Sequence, residues 1–302
     1  MLSPFSDPVR QKCRQHTNAH MPNDAHCTDR LLGTHEVREI RRLPHFRDSH
    51  YARTDPNDTL NFYRLHFAET LPAFSPLDRL ASIADIGCGY GWLAVALALH
   101  TSARIVAVEA NPSRLRAAQR IAEIAGVGGR IEWCTAALPR LPFADRAFDA
   151  VYCVEVIEHT GDDPGVAREL ARLSADLLTV TTPNKAFPVV RHDTALPFCH
   201  WLPPRRRNNY AMACGRIARQ YNNLFWSPWK LRRALEDFRQ VSEFLSFPCF
   251  STYLEARKRL RSRQTESALA RVELGYYRAV ARLGKRSWPL LPSLAGTFQR
   301  SR

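Results

Sequence analysis

The sequence contains no cysteine pair at C-x-x-C spacing. Its eight cysteines, at 13, 27, 88, 134, 153, 199, 214 and 249, are scattered, which excludes a zinc or redox framework of that kind and is expected of reduced thiols in a cytosolic core. No stretch reaches the roughly 18 apolar residues needed to span a bilayer. The N-terminus, rich in Arg, His, Asn and Pro, lacks the apolar centre of a secretory signal, so the expected location is cytoplasmic. Acidic residues are few, 29 against 43 Lys and Arg, leaving a formal charge of +14. That balance suits nucleic acid, an anionic membrane surface or an acidic substrate, and equally an arginine-rich surface that serves solubility. Aromatic-rich RNA-binding signatures and zinc spacings are missing, and there are no internal repeats. What remains is ordinary for a soluble globular protein: 302 residues, 45% hydrophobic and 24% charged, enough for one large domain or two small ones.

Residues 1–57 mix Pro, His, Asn, Asp and Arg with little periodicity and read as an irregular extension, the first thirty having the composition of a disordered segment. From Asp58, the spacing of Leu60, Phe62, Tyr63, Leu65, Phe67 and Leu71 predicts an amphipathic helix limited by Pro72. Short β-rich runs then alternate with helical patterns: strands near 82–86, 104–108, 130–134, 149–154 and 176–181, helices over 92–100, 112–125 and 163–173. That rhythm predicts an α/β fold with a doubly wound, mostly parallel sheet, occupying 58–250 as a single domain. Ser227-Pro228 predicts a further helix start, and Val241–Phe247 a sixth strand. Residues 251–302 read as a basic, helical extension over Tyr253–Leu283, with an irregular or short strand-forming end from Trp288.

The first strand ends in Asp85-Ile86 and runs directly into Gly87-Cys88-Gly89-Tyr90-Gly91. Glycines there permit a tight turn and let the backbone approach a ligand that a Cβ would exclude. Glu109 closes the second strand with a carboxylate able to accept hydrogen bonds from two ribose hydroxyls. The G-x-G-x-G spacing departs from the G-x-G-x-x-G of dinucleotide-binding dehydrogenases, although a nicotinamide-dependent oxidoreductase and a purely structural turn are the alternatives. The loop resembles the first motif of class I S-adenosylmethionine (SAM)-dependent methyltransferases. The run Leu141-Pro142-Phe143-Ala144-Asp145-Arg146-Ala147-Phe148-Asp149-Ala150-Val151 is similar to the stretch before the fourth strand in small-molecule members of that family. The resemblance implies a Rossmann-like methyltransferase fold, SAM as methyl donor, and cofactor contacts from Asp85, Gly87, Cys88, Gly89, Gly91, Glu109, Ala110, Ala137, Leu138 and Cys153. Ala137 stands where the family usually carries an aspartate for the adenine amino group, leaving backbone near Ala137 and Leu138 to line the ring.

After the fourth strand, Glu155-Val156-Ile157-Glu158-His159 places two carboxylates and an imidazole on one face of a helical turn. Those groups suit a divalent cation such as Mg, or a general base for a hydroxyl; a structural alternative has Glu158 and His159 merely bracing the loop. The E-x-x-E-H pattern resembles the ubiquinone-biosynthesis O-methyltransferases and the enzymes that methylate the 2′-hydroxyl of small-RNA ends. In that resemblance Glu155, Glu158 and His159 are metal ligands, and His192 or His200, on a 191–203 segment expected to roof the substrate pocket, completes the site. His159, Glu158, His192 and His200 are the catalytic candidates. The sequence lacks the Asn-Pro-Pro-aromatic motif that holds a flipped base, which disfavours base methylation.

The expected reaction is therefore O-methylation of a small molecule such as a quinone, a sugar or a lipid-linked intermediate. RNA 2′-O-methylation and a SAM-binding but inactive partner protein are the competing readings. The basic C-terminal stretch, with Leu269, Val272, Tyr276 and Leu283 among its arginines, is expected either to lie on an anionic membrane surface or to pack on the domain with a solvated basic face.

Overall fold

The computed structural model describes residues 31–47, 50–161, 163–216, 223–261 and 268–301. Cys13, Cys27 and the expectation of disorder over the first thirty residues lie outside them. Among the described residues seven strands form one sheet: β1 Ser82–Ile86, β2 Arg104–Glu109, β3 Ile131–Thr135, β4 Phe148–Val154, β5 Ser174–Thr181, β6 Phe238–Gln240 and β7 Gly296–Arg300. Their order is β3-β2-β1-β4-β5-β7-β6. Strands β1 to β5 run parallel, and β7 is antiparallel to both β5 and β6. This is the mostly parallel, Rossmann-like sheet of class I methyltransferases. The order reverses between β1 and β4, which opens a crevice beyond their carboxyl ends, where open α/β sheets bind ligands.

Strand alternation sorts the core into two layers. Ile83, Ile105, Ala107, Ala150, Tyr152 and Leu177 face α1 Thr34–Arg42, α2 Pro56–Tyr63, α3 Trp92–His100 and α4 Pro112–Ile124. Ala84, Ile86, Val106, Val108, Val151 and Leu178 face the other way, toward α5 Pro164–Leu173, the later α7 Pro228–Ala234, and α8 Phe250–Arg261 with α9 Ala268–Ala281. Between the last strand of the parallel set and α7 lies α6 Pro204–Ala213, which local periodicity does not reveal because its first turn is a run of arginines. Helices start where a proline follows a capping side chain: Asn111 accepts from Ser113 and Arg114 N–H, Asp163 from Gly165 N–H, and Ser227 from Lys230 N–H. Each such cap is worth about 1 kcal/mol.

Three expectations are corrected. The break at residue 57 does not separate an extension: the Asn57 side chain accepts from Leu32 N–H and donates to its carbonyl at 2.8 and 3.0 Å. Ile40 of α1 is fully buried beside Leu60. The sixth strand lies at Phe238–Gln240, ahead of Val241–Phe247, because Phe244 and Phe247 turn into an aromatic cluster with Phe250 and Tyr253 instead of alternating across a sheet. The break at 250 also fails, since β7 inserts between β5 and β6. The basic helical stretch expected over Tyr253–Leu283 holds α8 and α9 among the described residues.

Candidate active site

The glycine loop sits at the carboxyl end of β1, at the reversal of strand order. Gly87 and Cys88 N–H both donate to the Val108 carbonyl, which ties the loop to β2. Gly87, Gly89 and Gly91 all have left-handed φ, +76°, +55° and +77°, a region that costs other residues about 1–2 kcal/mol. A Cβ on Gly87 would meet Val156 Cγ2 at 2.4 Å, and one on Gly91 would meet Ala118 Cβ at 2.8 Å, whereas one on Gly89 would meet nothing within 4 Å. The loop is thus packed at its ends and open at its centre, a cradle that a side chain would fill.

Glu109 spans this cradle. Its Oε2 accepts from Gly89 N–H and its Oε1 from Asn111 N–H, both at 2.9 Å, leaving further lone pairs for ribose hydroxyls. Asp85 is buried, and its Oδ2 has no hydrogen-bond partner among the described residues. Burial, with the negative Glu109 nearby, pushes its pKa up to about 7. An unpaired buried carboxylate oxygen beside an open backbone cradle fits a cationic nucleoside such as SAM. Ala110 and Ala137 are exposed at the same end of the sheet, with Leu138 half-buried. Cys88 is buried, and its thiol is raised well above the ordinary value by burial and the two acids. Cys153 does not belong with them: it is fully buried in the core layer against α5, because the alternation of β4 turns it inward.

Val156 joins this loop to the acidic cluster, since its side chain lies against Gly87. The cluster differs from the expected helical face. Glu155 has φ +55°, so its side chain leaves the helical spacing and its Oε1 accepts from Thr181 Oγ1 at 2.9 Å. Only then does a short turn, Ile157–His159, begin. Glu158 is completely buried; its Oε2 accepts from Thr182 Oγ1 at 2.9 Å. Its Oε1 lies 3.7 Å from His192 Nε2 and 4.0 Å from His159 Nε2. Glu158, His159 and His192 each bring a ligand atom within 4.8 Å of the others. Glu155, also expected as a ligand, stands at the edge of this group, its Oε2 4.0 Å from His192 Nε2.

His192 is oriented from behind. Its Nδ1 is 2.9 Å from Asp193 Oδ1, and Asn223 Nδ2 lies 3.4 Å from each Asp193 oxygen. Asn223 Oδ1 in turn lies 3.2 Å from His159 Nδ1. The hydrogen bond to Asp193 holds the His192 pKa above the ordinary imidazole value against the pull of burial. Burial tends to raise Asp193, yet its hydrogen bonds to His192 and Asn223 hold it below the usual range. Withdrawal from water and the neighbouring Glu158 charge lift Glu155 to about 7, and burial raises Glu158 as well. His200 does not complete this group. It is 4% exposed, packs edge-on against Phe225, contacts Thr194 Oγ1 at 3.3 Å, and burial drops its pKa to about 4. Asp193, Asn223 and Thr181 went unassigned in the sequence; adjacency of His192 and Asp193 was the one available signal.

A cleft of about 570 Å³ lies elsewhere, lined by Arg168, Arg172, Lys230 and Arg233 of α5 and α7 and by Arg300 of β7. It holds none of the residues just described.

Residues 83–176, from β1 into β5, match the model of the methyltransferase domain family. Over that stretch, about a third of the chain, the sequence matches a methyltransferase domain. Among similar proteins, the sterol 24-C-methyltransferase of Aspergillus fumigatus is 32% identical over 91 residues, 30% of this chain and 24% of that one. Norajmaline N-methyltransferase of Rauvolfia serpentina is 26% identical over 143 residues, 47% of each chain. The chain thus spans less than half the length of these curated relatives. Magnesium protoporphyrin IX methyltransferase of Synechocystis, solved with S-adenosylhomocysteine, superposes with a TM-score of 0.50 at 16% identity, covering 88% of this chain and 93% of that one. The PH0226 protein of Pyrococcus horikoshii gives 0.50 at 13% identity over 87% and 99%. These two likenesses show the fold. Among the described residues no helix is long and apolar enough to cross a membrane.

Proposed function

We propose that the protein transfers the methyl group of SAM to a hydroxyl of a small-molecule acceptor, with His192 as the general base. One observation carries the reading: the His192–Asp193 pair, 2.9 Å apart, points its free Nε2 into the carboxylate cluster that adjoins the glycine loop through Val156. Bound SAM supplies an electrophilic methyl on a sulfonium centre. Asp85 and Glu109 hold the charged and ribose portions of the cofactor, and Gly89 leaves its backbone open to them. An acceptor hydroxyl seated between His192 and the loop forms the new C–O bond as the S–CH₃ bond breaks. Its proton passes to His192 Nε2, and Asp193 stabilises the imidazolium. The chief remaining requirement is alignment, which rigid strand ends provide.

A carbon acceptor is the second reading, favoured by the sterol 24-C-methyltransferases. In it, Glu155 and Glu158 lie close to a developing positive charge. A divalent cation is a separate proposal on Glu158, His159 and His192; one carboxylate with two imidazoles suits a borderline ion better than Mg. The test is methyl-labelled SAM with an accepted substrate, followed by NMR of the product linkage and a chelator control. An ether linkage made at an undiminished rate in chelator supports His192 as base. A methyl on carbon overturns the hydroxyl reading, and loss of turnover restored by added metal overturns the metal-free one.

A further inference from the structure

Helix α9 presents three distinct faces. Ala270, Tyr277 and Val280 are buried, and Tyr277 packs against Phe244 and Tyr253. Leu269, Val272 and Tyr276, three and four residues apart, are 65%, 70% and 40% exposed, and Leu283, seven further on, is 49% exposed. At helical spacing these four form one outward stripe. Arg271 and Arg278, with Arg282 just beyond the helix, form an exposed third face. Arg271, Arg278, Arg282 and Arg286 make no ion pair among the described residues. The sole acid of the helix, Glu273, is turned aside into a 3.6 Å pair with Arg191.

An outward face of a helix in water is ordinarily polar. An apolar stripe bordered by unpaired arginines matches instead the chemistry of a bilayer surface: acyl chains for the stripe, phosphate headgroups for the guanidinium groups. Its position adds to this. The Tyr276 ring lies 6.4 Å from Phe187, and its hydroxyl donates to the carbonyl of Leu290, itself 44% exposed. Phe187 and Arg191 belong to the segment that delivers His192 to the reactive end of the sheet.

We propose that α9 docks the protein on an anionic lipid bilayer, with Leu269, Val272, Tyr276 and Leu283 at the acyl boundary and Arg271, Arg278 and Arg282 on the headgroup phosphates. Residues 187–192 then lie beside the bilayer, and the acceptor is an amphipathic molecule drawn from it. The statement about the acceptor rests on the methyl-transfer reading; the docking does not.

The test is sedimentation of the full-length protein with phosphatidylcholine vesicles with and without phosphatidylglycerol. The wild type is expected to partition onto the mixed vesicles and far less onto pure phosphatidylcholine. Leu269→Glu with Val272→Glu is expected to cut partitioning at least about tenfold. Arg271→Glu with Arg278→Glu is expected to weaken it and flatten its salt dependence. Unchanged SAM affinity by calorimetry shows that both variants are folded. Failure of the wild type to partition, or undiminished partitioning of the Leu269/Val272 variant, overturns the proposal. So does a wild-type dimer that the same variant splits, since the stripe is then an interface between copies. Vesicle sedimentation is read without SAM and methyl transfer is read from labelled product without vesicles, so the failure of one is distinguishable from the failure of the other.

Discussion

Replacing Gly87 with alanine tests whether the cofactor loop and the acidic cluster are packed as one unit. The backbone there has φ +76°, which costs an alanine about 1–2 kcal/mol. Its Cβ would meet Val156 at 2.4 and 2.8 Å, well inside any ordinary contact, and overpacking of that kind adds about 1–3 kcal/mol. The expected loss is about 2–5 kcal/mol, a large part of the roughly 5–15 kcal/mol that holds a domain folded. Urea unfolding followed by tryptophan fluorescence measures it. Adding Val156→Ala removes the collision but not the strained φ, so the double variant is expected to regain the overpacking part only. A Gly87→Ala protein within about 0.5 kcal/mol of wild type, near the ordinary surface-substitution range, refutes the packing argument.

Gly89→Arg meets no atom at its Cβ but takes on the left-handed φ of +55°, so it is expected to fold at a cost of about 1–2 kcal/mol and to lose SAM binding by calorimetry; retained affinity removes the loop from the cofactor site. Glu109→Ala, which leaves Gly89 and Asn111 N–H without their carboxylate, is expected to weaken SAM binding about ten- to a hundredfold, as for charged hydrogen bonds worth 1.5–3 kcal/mol. Burial pushes the Asp85 carboxyl up to about 7 in the fold, from an ordinary 3.8. The native state therefore binds the extra proton between those values, so stability of the unliganded protein falls as pH rises through that window. Asp85→Asn is expected to flatten this slope in denaturant titrations, and an unchanged slope assigns it elsewhere. Turnover is expected to rise with pH as His192 loses its proton, with the midpoint above the ordinary imidazole value. Asp193→Asn should lower both midpoint and kcat, and a pH profile identical to wild type excludes the dyad.

The parallel half of the fold was legible because each βα unit carries its own local signals. Asn111-Pro112 and Asp163-Pro164 mark helix starts, and the glycines between Asp85 and Trp92 mark a strand-to-helix turn. Glu109 was legible for the same reason, as a carboxylate closing a strand. Gly296–Arg300 was legible only as a short strand-forming end from Trp288; its place between β5 and β6 was not, because pairing with β5 residues more than a hundred positions away carries no local pattern. The N-terminal packing was hidden likewise, since the pairing of Leu32 with Asn57 is a matter of two hydrogen bonds and not of periodicity. In the site, Glu158 and His159 stood out by type and spacing. Their partner His192 was offered only as one of two histidines, and a positive φ at Glu155, invisible in the letters, turns that carboxylate onto Thr181 at the edge of the group. His200 looked equivalent to His192 until burial against Phe225 separated them.

The central claim, that this fold moves a methyl group from SAM to a small acceptor, is tested most directly by incubating the protein with methyl-labelled SAM and separate lipid, small-molecule and RNA extracts. The expected result is label in a lipid or small-molecule product, absent with Gly89→Arg and indifferent to added RNA. Tight SAM binding with no label in any fraction, or label carried by RNA alone, contradicts it.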